Sequence, residues 1–242
     1  MNSKEIKKLM KLQYGKPKFT DNILADNFPC GDLGRIFSVW FIKHNVTPNN
    51  ITMLMIAFGI IGSILFAIPS LPCKILGYLC WIMWYTMDNS DGQVARYTKN
   101  FSRYGTQMDF MAHLIDHPLM NIAIWLTFIQ IVKPDDIMLL SLFSIMVISC
   151  EMLLRNITSF QFQMAKEEKT SHAKNPQNIF KYLLIQLTLF PNIIVLFSWI
   201  IIVDYWLRIG FSIYIFYGWA VYFILCTLRT TMITLMHFYF SR

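Results

Sequence analysis

Residues 51–87 read ITMLMIAFGIIGSILFAIPSLPCKILGYLCWIMWYTM and carry one charged side chain, Lys74. A membrane-spanning helix needs roughly 20 consecutive apolar residues. The stretch therefore predicts two spans, about 51–69 and about 71–87. Four further stretches qualify: 105–131, which begins polar and ends IAIWLTFIQI, then 136–155, 179–203 and 209–236. Pro191 is expected to kink the fifth, because proline removes a backbone donor and clashes with the preceding turn. A closed membrane barrel would need alternating segments of about 10 residues, whereas these runs are continuous. The predicted fold is all-α: a polytopic membrane protein with a bundle of six transmembrane helices.

Composition agrees. Of 242 residues, 55% are hydrophobic and 14% charged, against about 25% charged in soluble domains. The mean hydropathy is +0.45. The first 20 residues are polar and basic, without the apolar core of a signal peptide. The five cysteines form no CxxC pair, which argues against a disulfide framework or a zinc site.

Six spans place both termini on one side, together with the second-to-third and fourth-to-fifth connections. That side holds 18 of the 21 Lys and Arg residues, and the other holds Lys74, Lys133 and Arg208. Cytoplasmic loops are enriched in Lys and Arg, so both termini are expected in the cytoplasm. Basic residues at the spans account for the net charge of +7 through anionic lipid headgroups, with no nucleic-acid partner required. The chain's size fits a bacterial inner membrane better than an endoplasmic reticulum.

Ahead of the first span, GDLGRIFSVWFIKH (31–44) gathers Leu33, Ile36, Phe37, Trp40 and Phe41 near one helical face. It reads as an amphipathic helix lying in the interface. VTPNNIT (46–52) ends it, and Asn49 or Asn50 is expected to cap the first span. The expected organisation is a cytoplasmic N-terminal segment over 1–50 and a transmembrane domain over 51–242. The polar stretch 156–178 reads as a cytoplasmic loop.

The chemistry concentrates in DNSDGQVARYTKNFSRYGTQMDFMAHLIDH, residues 88–117. Asp88 and Asp91 are three apart and share a helix face; Asp109, His113 and Asp116 do the same on the next helix. The two helices are consecutive and antiparallel, so both clusters fall at the cytoplasmic end. Carboxylates beside hydrocarbon are costly and mark function. Converging oxygen ligands suit Mg²⁺ or Mn²⁺, which can clamp a pyrophosphate during phosphoryl transfer. Gly92, Ala95 and Gly105 would let a nucleotide approach the backbone, and Arg96 could pair with a phosphate. The competing reading is a solvated loop whose acids pair with Arg96, Lys99 and Arg103.

This stretch resembles the signature of the CDP-alcohol phosphatidyltransferases, D-x2-D-G-x2-A-R-x8-G-x3-D-x3-D. Asp88, Asp91, Gly92, Ala95, Arg96, Gly105 and Asp109 stand at the required spacing, and His113 stands where the last Asp belongs. The resemblance implies transfer of a substituted phosphate from a CDP-alcohol donor to the hydroxyl of a lipid or polyol acceptor, with release of CMP, in phospholipid or related biosynthesis. It implies Asp88, Asp91, Asp109 and His113 as ligands of Mg²⁺ or Mn²⁺, with Asp109 and His113 catalytic and His113 able to act as the base. It implies Gly92, Ala95, Arg96 and Gly105 as the CDP contacts, and a homodimer among membrane lipids. Asp116 could hold the His113 imidazole or replace the missing carboxylate. Glu151 is expected to pair with Arg155, Arg155 could bind an anionic acceptor, and His117 reads as structural.

Two rival readings remain. A catalytically silent member would bind CDP-alcohols or partners without turnover. A transporter would need ionisable residues near the midplane of several spans, whereas these cluster at one edge of two.

The charge asymmetry makes a topological prediction. A reporter fused after Arg242 reads cytoplasmic, and a cysteine placed beside Lys133 is labelled by an impermeant thiol reagent from outside. The reverse pattern would overturn the orientation.

Overall fold

A computed structural model describes residues 22–168 and 179–240, and these are almost wholly helical. Helix α1, Gly31–Lys43, follows a helical turn at Ile23–Ala25 and a π-helical stretch at Asp26–Cys30 that contains Pro29. Then come α2 (Pro48–Ala67), α3 (Leu71–Thr98), α4 (Gly105–Ile129), α5 (Ile137–Glu168), α6 (Ile179–Gln186), α7 (Phe190–Leu207) and α8 (Phe211–Phe240).

Among the described residues, four stretches are long and apolar enough to cross a membrane: Pro48–Ala67, Ile137–Gln161, Phe190–Leu207 and Phe211–Phe240. The chain is thus an all-α protein whose apolar helices fit a membrane. Helices α3 and α4, expected as the second and third spans, have the length but also carry the charged cluster.

Three local expectations are corrected. The fifth predicted span is two helices rather than one kinked helix: α6 ends at Gln186, Leu189 is extended, and Pro191 sits in the first turn of α7. Proline's fixed φ and missing N–H suit a helix start, where that donor has no intrahelical partner. The break is tied by Asn192, which donates to the Gln186 side-chain oxygen at 2.8 Å and accepts from the Ala25 amide at 2.9 Å. The cap of α2 is Thr47, whose hydroxyl accepts from the Asn50 amide at 3.4 Å, with Pro48 as the first helical residue. The polar stretch expected as a loop over 156–178 is helical through Glu168, and its remainder lies outside the described residues. Gln161–Glu168 is rich in helix-favouring Gln, Met, Ala, Lys and Glu, and Gln161 donates to Thr234 of α8 at 2.9 Å.

Helix α1 buries Gly31, Gly34, Ser38 and Phe41, whereas Ile36 and Trp40 are exposed. It packs through small residues: Ser38 donates to Gln93 at 2.9 Å, and Ser90 donates to the Gly34 carbonyl at 3.0 Å. The apolar residues read as one face are therefore divided between α3 and the outside.

Packing of α2 on α3 sets the frame for the site. A Cβ at Gly77 would lie 2.7 Å from the Gly62 oxygen and from the Phe66 nitrogen, so the helix backbones touch there. At the end remote from the acids, Lys74 is fully buried. Its Nζ donates to the Phe66 carbonyl at 2.8 Å and to Thr127 at 2.9 Å, and lies 4.5 Å from the centre of the Tyr205 ring. That one ammonium joins α2, α3, α4 and α7.

Candidate active site

Because α3 and α4 are antiparallel and joined by a short connection, the C-terminal turns of α3 face the N-terminal turns of α4. His113 Nε2 lies 3.2 Å from Asp88 Oδ1 and 3.3 Å from Asp109 Oδ1. One ligand atom from each of the three residues lies within 4.8 Å of the others. His113 is buried, while Asp88 and Asp109 are half-buried.

The donor set fits a hard divalent cation. Two carboxylates and an imidazole nitrogen are ordinary ligands for such an ion. Bonds of about 2.1 Å place neighbouring ligands in an octahedron about 3 Å apart, close to the separations around Nε2.

Asp91 stands apart from this trio. Its Oδ2 accepts from Thr52 of α2 at 2.6 Å. It lines a cavity of about 390 Å³ with Gly92, Ala95, Arg96, Gly105 and Asp109. Arg96 is exposed at the rim, with its Nη1 3.0 Å from where a Cβ on Gly92 would be. A side chain at 92 would push that guanidinium aside, whereas at Gly105 the nearest neighbour of an added Cβ is 3.5 Å away. Burial and then the nearby Asp88 carboxylate push the Asp91 carboxyl well above the usual carboxylate range, against the lowering effect of the Thr52 hydroxyl.

On the other side of the trio, Asp88, His113, Glu151, Arg155, Thr158, Thr188 and Phe190 line a second cavity of about 230 Å³. The trio lies between the two cavities. Arg155 makes no ion pair within 4.0 Å among the described residues, and its guanidinium lies 5.9 Å from the Phe110 ring centre.

The surroundings of His113 correct two expectations. Asp116 does not hold the imidazole; its Oδ2 accepts from the Trp84 indole at 2.9 Å, and it packs where a Cβ on Gly59 would come within 2.4 Å. Glu151 pairs with His117 rather than Arg155, its Oε1 lying 2.8 Å from His117 Nδ1. His117 Nε2 in turn meets His113 Nδ1 at 3.1 Å. Sequence reading missed His117 as a partner of the site, although its i+4 spacing from His113 places it on the same helix face.

Residues 45–210 match the family model for CDP-alcohol phosphatidyltransferase. The chain belongs to the CDP-alcohol phosphatidyltransferase family, whose members are CDP-alcohol phosphotransferases and typically depend on divalent metals. No curated protein matches the chain closely enough to stand as a named relative.

A pH prediction follows from Asp91. Its folded-state pKa is raised, so the native protein holds a proton that the unfolded chain releases above about pH 4. Stability of the metal-free protein therefore falls as pH rises from that value through the raised one. In EDTA, Asp91→Asn is expected to raise the melting temperature at about pH 8.5 and to leave it little changed at about pH 4. An equal effect at both pH values would contradict the buried, repelled carboxyl.

Proposed function

We propose that this chain transfers a substituted phosphate group from a CDP-alcohol to an acceptor hydroxyl and releases CMP. The observation that carries the reading is the trio's position between two cavities. Group transfer between two substrates needs two sites that meet at the reacting atoms.

The first cavity suits the CDP donor. Gly92 and Ala95 leave backbone open to the nucleotide, Gly105 opens the facing helix, and Arg96 at the rim can pair with a phosphate oxygen. The second suits the acceptor, with Arg155 available for an anionic group on it. Asp88, Asp109 and His113 are the residues that would hold Mg²⁺ or Mn²⁺ as they stand, and Asp91, on the wall of the first cavity, would join them as a further ligand. When bound, the cation supplies neutralisation of the pyrophosphate and of the charge that develops on the departing CMP oxygen.

The acceptor oxygen forms a new bond to the phosphorus that bears the alcohol group. The bond from that phosphorus to the bridging oxygen breaks, and CMP leaves with the electron pair. The hydroxyl proton passes to a basic atom at the boundary of the second cavity. Asp88 stands there, as does His113 when its Nε2 is not holding the cation.

The membrane arrangement is part of the same proposal. Helices α2, α3, α4, α5, α7 and α8 make six crossings, with the site at the cytoplasmic edge and α6 beside it. Helix α7, with 18 residues, spans about 27 Å at 1.5 Å per residue. Helix α1 lies in the interface with Ile36 and Trp40 toward lipid, and two copies of the chain form a dimer.

The test uses purified protein, a panel of radiolabelled CDP-alcohols and a panel of hydroxyl acceptors. CMP release is expected with Mg²⁺ or Mn²⁺ and not in excess EDTA. Asp109→Asn abolishes release, while His113→Asp, which restores the family's carboxylate, retains it. Undiminished turnover in EDTA would overturn the metal mechanism. No release from any CDP-alcohol by wild type would favour the silent member, whether or not His113→Asp restores it.

A further inference from the structure

With Glu151 ionised, the chain of side chains behind His113 has a direction set by its donors and acceptors. An ionised carboxylate only accepts hydrogen bonds, and a neutral imidazole carries one N–H and one bare nitrogen. Glu151 Oε1 lies 2.8 Å from His117 Nδ1, so His117 carries its proton on Nδ1. Its Nε2 is then bare and accepts from His113 Nδ1 at 3.1 Å. His113 thus carries a proton on Nδ1, and its Nε2 is the ring atom left to take a second proton or a cation.

That nitrogen faces Asp88 Oδ1 at 3.2 Å and Asp109 Oδ1 at 3.3 Å, near enough to share a proton with either acid. Three lone pairs alone would repel one another there, so the place among them calls for a proton or a cation. Asp88, Asp109 and His113 Nε2 would be the three ligands of a divalent cation that took the proton's place. Metal-bound histidines are usually fixed by a carboxylate or carbonyl acceptor on the other ring nitrogen; here the acceptor is a second histidine, itself fixed by a carboxylate.

Packing holds the chain in place. His117 is fully buried. It stacks on Phe190 at 3.7 Å between ring centres with 17° between planes, and meets the edge of Trp84 at 5.7 Å. Phe190 is the first residue of α7 after the break, and Glu151 comes from α5. Three helices therefore set the orientation of one imidazole on α4. Burying His117 and Glu151 without partners would be costly; the pair satisfies both.

We propose that His117 and Glu151 are positioning residues that hold His113 as an Nε2 metal ligand, a second layer that accompanies the histidine at a position where the family has a carboxylate. The inference rests on the metal-dependent reading above.

The test measures Mn²⁺ binding to the full chain in detergent, with no substrate present. Pulsed EPR of bound Mn²⁺ is expected to show the nitrogen-14 coupling of a coordinated imidazole, and His113→Asp removes it. His117→Phe keeps a ring in the aromatic slot but takes away the acceptor; it is expected to weaken Mn²⁺ binding about 10–100-fold and to diminish the coupling. Glu151→Leu, which frees His117 to turn, is expected to act in the same direction and covers the case in which His117→Phe fails to fold. His117→Gln supplies an amide oxygen for His113 Nδ1–H and restores both signals.

Coupling and affinity that stay at wild-type values in His117→Phe and Glu151→Leu would overturn the positioning role while leaving the metal site intact. Absence of nitrogen coupling in Mn²⁺-bound wild type would overturn His113 as a ligand. It is the result expected if Glu151 is protonated and the chain runs the other way, with His113 Nε2–H hydrogen-bonded to the two acids. Failure of wild type to bind Mn²⁺ at all would overturn the metal-dependent function as well.

Discussion

The carboxylates of Asp88 and Asp109, drawn together around His113, are the constraint to which the rest of the molecule answers. Their ligand oxygens lie within 4.8 Å of each other, and like charges so close repel, so the cluster needs a frame to hold it together. The bundle holds it from outside. Helix α2 packs so closely on α3 that only glycine fits at Gly77, against Gly62 and Phe66. At the far end, Lys74 fastens the same helices to α4 and α7. Gly59 leaves room for Asp116, which turns toward Trp84 and stays out of the cluster. The acids are thus crowded by a frame whose own contacts lie mostly elsewhere along the helices.

The same frame divides the space around the cluster. Helices α2, α3 and α4, with the connection between the latter two, enclose the cavity that holds Asp91, Gly92 and Arg96. Helix α5 and the break before α7 enclose the one that holds Arg155 and Thr188. The break matters to the chemistry because it delivers Phe190 onto His117. A continuous helix through 179–203, kinked or not, would not start a new helix at that point. Replacing a carboxylate by a histidine changes the requirements of the site. An imidazole must be oriented and its proton placed, and the residues that meet both needs come from α4 and α5.

Much of this was legible in the sequence. Apolar run length gave the all-α membrane class. The spacing of Asp88, Asp91, Gly92, Ala95, Arg96, Gly105 and Asp109 pointed to the family, with His113 as the departure, and antiparallel α3 and α4 followed from their order along the chain. What was not legible depends on partners distant in sequence. Glu151 lies four residues from Arg155, and i,i+4 proximity suggested that pair; the partner it takes is His117, 34 positions away. Asp116 shares a helix face with His113, but its rotamer is set by Trp84 on another helix. Pro191 can bend a helix or begin one, and the choice is made by Asn192 and Ala25 at the break. Thr52 on α2 binds Asp91, and no pattern within either helix points to the other.

The most direct measurement of the central claim is an anomalous difference map from crystals of the full chain soaked in Mn²⁺. The account predicts a peak at about 2.1 Å from each of Asp88 Oδ1, Asp109 Oδ1 and His113 Nε2, the bond length of a small divalent cation. A peak among the aspartates alone, with His113 turned away or hydrogen-bonded to them, would contradict it.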